Sequence, residues 1–218
     1  AGADQLARSV SGSQASVSGT VRITASQPVA CMLLPPLLAR MRLELPEVQV
    51  ELVASNAVTN LLRREADIAL RMVRPQQASL VARKLGDLSI QACAHRDYLA
   101  RAGTPRRMEE LARHSLIGYD QNDAILQGFA AAGLPLAREH FGLRTDDQVA
   151  YAQLVQAGAG IGFLAHFMVR DTPGLVPLLP ELATPKLPVW LVVHREIRGN
   201  PVVRRVFDFL AEGLTLSI

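Results

Sequence analysis

From residue 20, the segment TVRITAS sets Val21, Ile23 and Ala25 on one side of an extended chain, a period of two that predicts a strand with one buried face. The period then changes. In QPVACMLLPPLLARMRLELPE, Leu34, Leu37, Leu38, Met41 and Leu45 recur at helical spacing until Pro46 stops the run. VQVELVAS restores the alternation through Val48, Val50 and Leu52. A short helix around NLLRREA and a third apolar run, DIALRM, follow. Strand, helix, strand, helix, strand in that order implies parallel strands joined by crossover helices.

From Ser79 to His95 an extended segment, SLVARKLGDLSIQACAH, leads away from this unit. A second α/β series then begins, with strand SLIGY, helix DAILQGFAAAG, strand HFGLRT, helix DQVAYAQLVQAG and strand AGIGFL. A further extended run, LPVWLVVH, precedes a last helix, NPVVRRVFDFLAEGL. Asn200 and Pro201 suit its N-cap and first position, and Val202, Val203, Val206, Phe207, Leu210 and Leu214 form its apolar stripe. The first unit has few helices to cover its sheet and is the expected partner for that stripe. The chain then crosses between units twice, which makes two lobes around a cleft.

The run QAGAGIGFL carries glycines at 158, 160 and 162 and looks like a piece of a nucleotide-binding loop. A dinucleotide fingerprint needs a strand before its glycines and a helix after them. Here the helix comes first. Gly158 is therefore expected to cap that helix, and the other two to permit a close turn.

Composition narrows the classes. About half of the 218 residues are apolar, which excludes a disordered chain. There are 23 Lys and Arg against 20 Asp and Glu, and the basic residues are scattered, with no stripe suited to gripping phosphates. No stretch reaches the roughly 20 apolar residues of a spanning helix, and the start has no signal-peptide pattern, so a soluble, intracellular chain is expected. The two cysteines fit a reducing compartment. The chain opens on Ala1 and a segment rich in Ser, Gly and Gln, a linker composition that suggests something precedes it.

Taken in order, GTVRITAS, LLPPLLARMRLELPEVQVEL, DIALRM, LVARKLG, ACAHRDYLARAGTP, LVQAGAGIGFL and NPVVRRVFDFLAEGL resemble the effector-binding domain of the LysR-type transcriptional regulators, over about residues 19 to 212. The resemblance implies an α/β fold of two Rossmann-like subdomains joined by two crossover strands, like type 2 periplasmic binding proteins. It places the end of a linker helix and a hinge at 1–18, subdomain I at 19–94 plus 195–218, and subdomain II at 95–194. It implies a small-molecule effector and no cofactor, and a homodimer that becomes a tetramer at full length. DNA is contacted only through an N-terminal helix-turn-helix that this sequence lacks, RNA polymerase is a further candidate partner, and the location is cytoplasmic. The dimer expected for the family exposes Leu34, Leu38, Met41 and Gln153. Where the family commonly has Leu-Pro after the glycine strand, this chain has Leu164, Ala165 and His166.

In α/β sheets ligands bind beyond the carboxyl ends of strands, where helix N-termini offer donors. That rule selects Ser26 and Gln27, Ser55 and Asn56, and Asp147 and Gln148, each pair at a junction expected to present unpaired backbone donors. By resemblance, Ser26 and the Ser55-Asn56 pair match positions that hold an effector's carboxylate or polar group. Ser26, Asn56 and Asp147 equally suit plain helix caps. Arg71 ends the third strand, where it either balances an anionic effector or lies on the surface. Phe163 is a candidate apolar wall or a core aromatic, and Cys93 sits at the first crossover, where its backbone can line the cleft.

Cys31 and Cys93 both fall in the first lobe, unlike the cysteine pair of the family's peroxide sensors, and are expected as buried small hydrophobes. The five histidines make no metal-ligand spacing, and no G-x-S-x-G occurs. The sequence thus reads as a sensing and oligomerisation domain for a small metabolite, anionic or otherwise polar, and not as an enzyme. The alternatives are a periplasmic-type solute-binding protein, which predicts a signal peptide upstream, and an enzyme on the same scaffold, which predicts a cleft residue with a strongly shifted pKa.

Overall fold

A computed structural model describes residues 18–56 and 66–215. The short helix expected around NLLRREA lies outside the described residues except for Ala66, and the expected linker end and hinge lie outside them except for Ser18. The first strand, β1 (Gly19–Ala25), buries Val21, Ile23 and Ala25 as its alternation requires. It runs parallel to β2 (Val48–Ala54) on one side and to β3 (Ile68–Arg71) on the other.

Between β1 and β2 the chain makes a wide turn at Val29–Leu33 before the helix α1 (Leu34–Glu44). The Leu34 N–H reaches back five residues to the Val29 carbonyl. Pro35 and Pro36 follow, and neither has an N–H for the next ordinary helical bonds, so the local chemistry favours the wider π-type turn. Leu34, Leu37 and Met41 point into the core.

Strand β4 (Leu80–His95) is the backbone of the molecule. Residues 80–89 pair antiparallel with β9 (Lys186–His194), which also pairs with β3. Past Ser89, β4 changes partners to β7 (Gly162–Ala165) on one side and β8 (Leu175–Leu178) on the other. The resulting sheet order is β2-β1-β3-β9-β4-β7, with β8 alongside β4. A second small sheet pairs β5 (Leu116–Gly118) and β6 (Phe141–Arg144) in parallel.

Around these lie α2 (Arg96–Ala102), α3 (Ala124–Ala131), α4 (Gln148–Gln156), α5 (His166–Asp171) and α6 (Pro201–Thr215). The last helix packs on β1, β4 and α1, the first unit, as its stripe predicted. Asn200 caps it, its Oδ1 accepting from the N–H groups of Val202 and Val203. One core runs from α1, β1 and α6 through to Tyr151 and Phe167, and a second centres on Tyr98, Leu111, Phe129 and Phe141.

The glycine run follows the helix it was expected to cap. Gly158 has φ of 74°, its N–H donates to the Val155 carbonyl, and Ala159 N–H donates to Leu154, the paired bonds of a Schellman cap. A Cβ at Gly160 would overlap the Ser115 carbonyl, and one at Gly162 would overlap Val155. Here the glycines serve close packing between α4, β5 and β7.

Candidate functional site

The carboxyl end of β1 releases Ser26, whose carbonyl accepts from Ala30 N–H at 2.9 Å and so starts the helical turn. Among the described residues its hydroxyl has no hydrogen-bond partner, and the N-cap position of the Val29–Leu33 turn falls on Pro28. Gln27 and Asn56 form a reciprocal pair: Gln27 N–H donates to Asn56 Oδ1 at 3.2 Å, and Asn56 Nδ2 donates to Gln27 Oε1 at 3.3 Å. The Ser55 N–H donates to the Ala25 carbonyl at 2.8 Å, tying the β2 end to the β1 end. The junction donors expected to be open are therefore largely spoken for. Gln27 N–H goes to Asn56, and Pro28 has none to offer.

Arg71 ends β3 and is buried, which corrects the surface alternative. Its guanidinium donates to the Leu70 carbonyl and, at 3.0 Å, to the buried Thr24 hydroxyl. Burial lowers its pKa, yet a guanidinium stays charged at neutral pH. Arg74, just beyond, stacks over the Trp190 ring at 5.5 Å.

Across the cleft, Asp147 caps α4, its Oδ1 accepting from Val149 and Ala150 N–H at 2.9 and 2.8 Å. Asp146 accepts from the N–H groups of Asp120, Gln121 and Asn122, which pins the loop after β5 and fixes Tyr119 at the strand end. Tyr119 packs on Tyr151 with centroids 5.2 Å apart, and its hydroxyl has no hydrogen-bond partner among the described residues. Burial, with the Asp146 charge second, raises its pKa. Tyr151 is locked: its hydroxyl donates to Ile117 O and accepts from Phe163 N–H, both at 3.0 Å.

These strand ends enclose a cavity of about 520 Å³, within the ordinary range for small-molecule sites. Of the residues expected at the site, Ser26, Ser55, Asn56, Arg71, Gln148 and Phe163 line it. Gln27, Cys93 and Asp147 do not. Gln27 is turned to Asn56 and Asp147 to its own helix. Cys93 has no exposed surface and lies on β4 between β7 and β8, where burial pushes its thiol up to about 12. Phe163 serves both expected roles, since it also meets Phe129 edge-on at 5.3 Å.

The sequence did not single out Tyr119 or Met72, although both sit at or just past a strand's carboxyl end, where the same rule applies. Leu88, Ile90, Phe167, Met168 and Leu187 also line the cavity, and they come from the middle of the crossing strands and from a helix too short to read by period. Two further expectations are corrected. Leu34 and Met41, expected at an interface, are 0% and 1% exposed in the core of their own chain, while Leu38 is half-buried and Gln153 exposed. Cys31, expected buried, is exposed, because the wide turn points Val29, Ala30 and Leu33 inward and Cys31 out.

The described wall of the cavity holds no Asp, Glu, His, Cys or Lys. Among the described residues no three His, Cys, Asp or Glu side chains gather as metal ligands, and no helix is long and apolar enough to cross a membrane.

Comparison with known proteins gives a consistent result. The family described as LysR substrate binding domain matches residues 14–215. The HTH-type transcriptional regulator CrgA of Neisseria meningitidis serogroup C is 32% identical over 203 residues, covering 90% of this chain and 67% of CrgA. The HTH-type transcriptional activator AaeR of Escherichia coli K12 is 27% identical over 207 residues, covering 89% of the chain and 66% of AaeR. The chain thus spans about two thirds of the length of these relatives. Among solved structures, the CrgA regulatory domain from Neisseria meningitidis superposes with a TM-score of 0.79 at 30% identity, covering 90% of this chain and 99% of that one. The cofactor-binding domain of the Cbl transcriptional regulator gives 0.70 at 26% identity, with 91% of each chain covered.

Proposed function

The chain belongs to the LysR substrate binding domain family, and from that premise we propose that it senses a small metabolite in the cleft bounded by Ser26, Asn56, Arg71, Tyr119, Gln148 and Phe163. The observation that carries the reading is convergence. Residues as far apart in sequence as Ser26 and Phe163 line one cavity of about 520 Å³, with strand ends from both units in its wall. A ligand touching both walls favours one relative orientation of the units, and it shifts that equilibrium only by its differential affinity for the two states. The Ser26 hydroxyl is the group we assign first to the ligand, since it lines the cavity and has no hydrogen-bond partner among the described residues.

In the native regulator a helix-turn-helix preceding this chain contacts DNA, and association of copies through the α1 and β2 side transmits the change. RNA polymerase is a further partner, and the cytoplasm is the proposed location. The relatives CrgA and AaeR, both HTH-type regulators, support this reading.

The test is thermal unfolding with a panel of carboxylates on wild type and Ser26→Ala. A ligand that binds only the folded state at about 100 times its dissociation constant adds about 2.7 kcal/mol, a rise in Tm of roughly 5 to 11 °C for a chain of this size. Because the hydroxyl has no hydrogen-bond partner among the described residues, Ser26→Ala should change the unliganded stability by less than about 0.5 kcal/mol. It should also lose most of the ligand-induced rise. An equal rise in both proteins removes Ser26 from the site.

A further inference from the structure

The charges around the cavity are one-sided. Among the described residues its only cationic side chains are Arg71 and Arg74, both at the end of β3, and its described lining carries no carboxylate or imidazole. The far wall is apolar: Ile90, Phe163, Phe167 and Met168 face the space, with the Tyr119 hydroxyl and the Gln148 amide as its polar groups. A wall of this kind penalises a ligand that carries a second charge into it, because a buried charge without a partner is costly. An ammonium group finds no carboxylate among the described lining, and a dicarboxylate finds no cation on the far side. Apolar atoms, in contrast, gain from leaving water there.

We propose that the cleft selects a monocarboxylate with an apolar body of about arylalkanoate size, its carboxylate directed to the Ser26, Asn56 and Arg71 side and its body laid against Ile90, Phe163 and Met168. This rests on the reading of the cleft as the effector site and narrows its ligand class. It sets amino acids, dicarboxylates and polyols aside, although a polar metabolite of any of these kinds satisfied the sequence. Phe163 and Ile90 then determine specificity, because they meet the end of the ligand that varies in size.

The experiment is titration calorimetry of the 218-residue chain with acetate, succinate, phenylalanine, benzoate, 3-phenylpropanoate, 4-phenylbutanoate and 3-phenylpropanamide, repeated on Phe163→Ala and Ile90→Gln. Circular dichroism first establishes that each variant is folded, and Ile90→Gln stands in if loss of the Phe129 contact unfolds Phe163→Ala. Each fully buried methylene should tighten binding about fourfold. 3-Phenylpropanoate should therefore exceed acetate and succinate by well over about tenfold, and phenylalanine and the amide should each fall about tenfold or more below it. Both wall variants should weaken the aryl acids. If succinate or phenylalanine binds as tightly as 3-phenylpropanoate, or no acid of the series binds, the ligand class is wrong. If the wall variants still weaken whatever does bind, the cleft reading stands without it. Binding that neither variant changes overturns the cleft reading itself.

Discussion

Two cysteines of the same chain meet opposite environments, and the difference lies in single residues. Cys93 alternates inward on a strand flanked on both sides, whereas Cys31 falls on the outer side of a wide turn. Burial holds the Cys93 thiol at about 12, so almost none of it is thiolate at pH 8. A thiol reagent at that pH should therefore modify one cysteine in the folded chain and two after denaturation, with Cys31→Ser abolishing the fast reaction. Two fast thiols in the folded chain would contradict the placement of Cys93. The sign of the linkage follows from the raised value. An unfolded thiol ionises near about 8.5, so the stability from keeping Cys93 neutral is complete below that pH and is lost as pH rises toward about 12. Cys93 was legible as a small buried hydrophobe from its apolar strand. Cys31 was not, because the prolines at 35 and 36 change the turn by removing donors, and periodicity does not register a missing N–H.

At the scale of elements, α1 and β2 carry the consequences for assembly. Helical spacing correctly found the stripe of Leu34, Leu37 and Met41, but one stripe cannot face both a core and a partner. The structure gives it to the core. What remains outward is Leu43, 84% exposed, Leu52 on the edge strand β2, and the shallow groove of Leu38 and Val50 beside it. Charge on the outer set, as in Leu52→Glu, should weaken self-association in sedimentation while leaving the melting temperature nearly unchanged. Met41→Glu buries an unpaired carboxylate and should unfold the chain or cost more than about 3 kcal/mol. If Leu52→Glu associates as wild type does, this edge is not the interface. The long elements were readable from their periods. The short helices Arg96–Ala102 and His166–Asp171 were not, since six or seven residues hold too few turns to show a stripe.

Over the whole molecule, the order of elements anticipated two α/β units joined by extended segments, and β4 and β9 are those segments. The strand-end rule found the polar rim of the cleft at Ser26, Asn56 and Arg71, because rims are made where single strands stop. Its apolar wall escaped that rule. Ile90 and Leu187 lie inside strands, and only long-range antiparallel pairing places them: Leu187 stands opposite Leu88 across β4 and β9, and Ile90 stands opposite Ala165 across β4 and β7, beside Phe163. Coupling between the two walls depends on where a ligand sits more than on which ligand it is, and amide chemical-shift mapping reads that position directly. Titration of the labelled chain with the tightest-binding carboxylate should move the amides of Ser26, Asn56, Ile90, Tyr119, Gln148 and Phe163 most, on both sides of the cleft together. Largest shifts instead in the groove beside Leu38 and Leu52, or around Arg195, Arg198 and Arg204 at the start of α6, would contradict it.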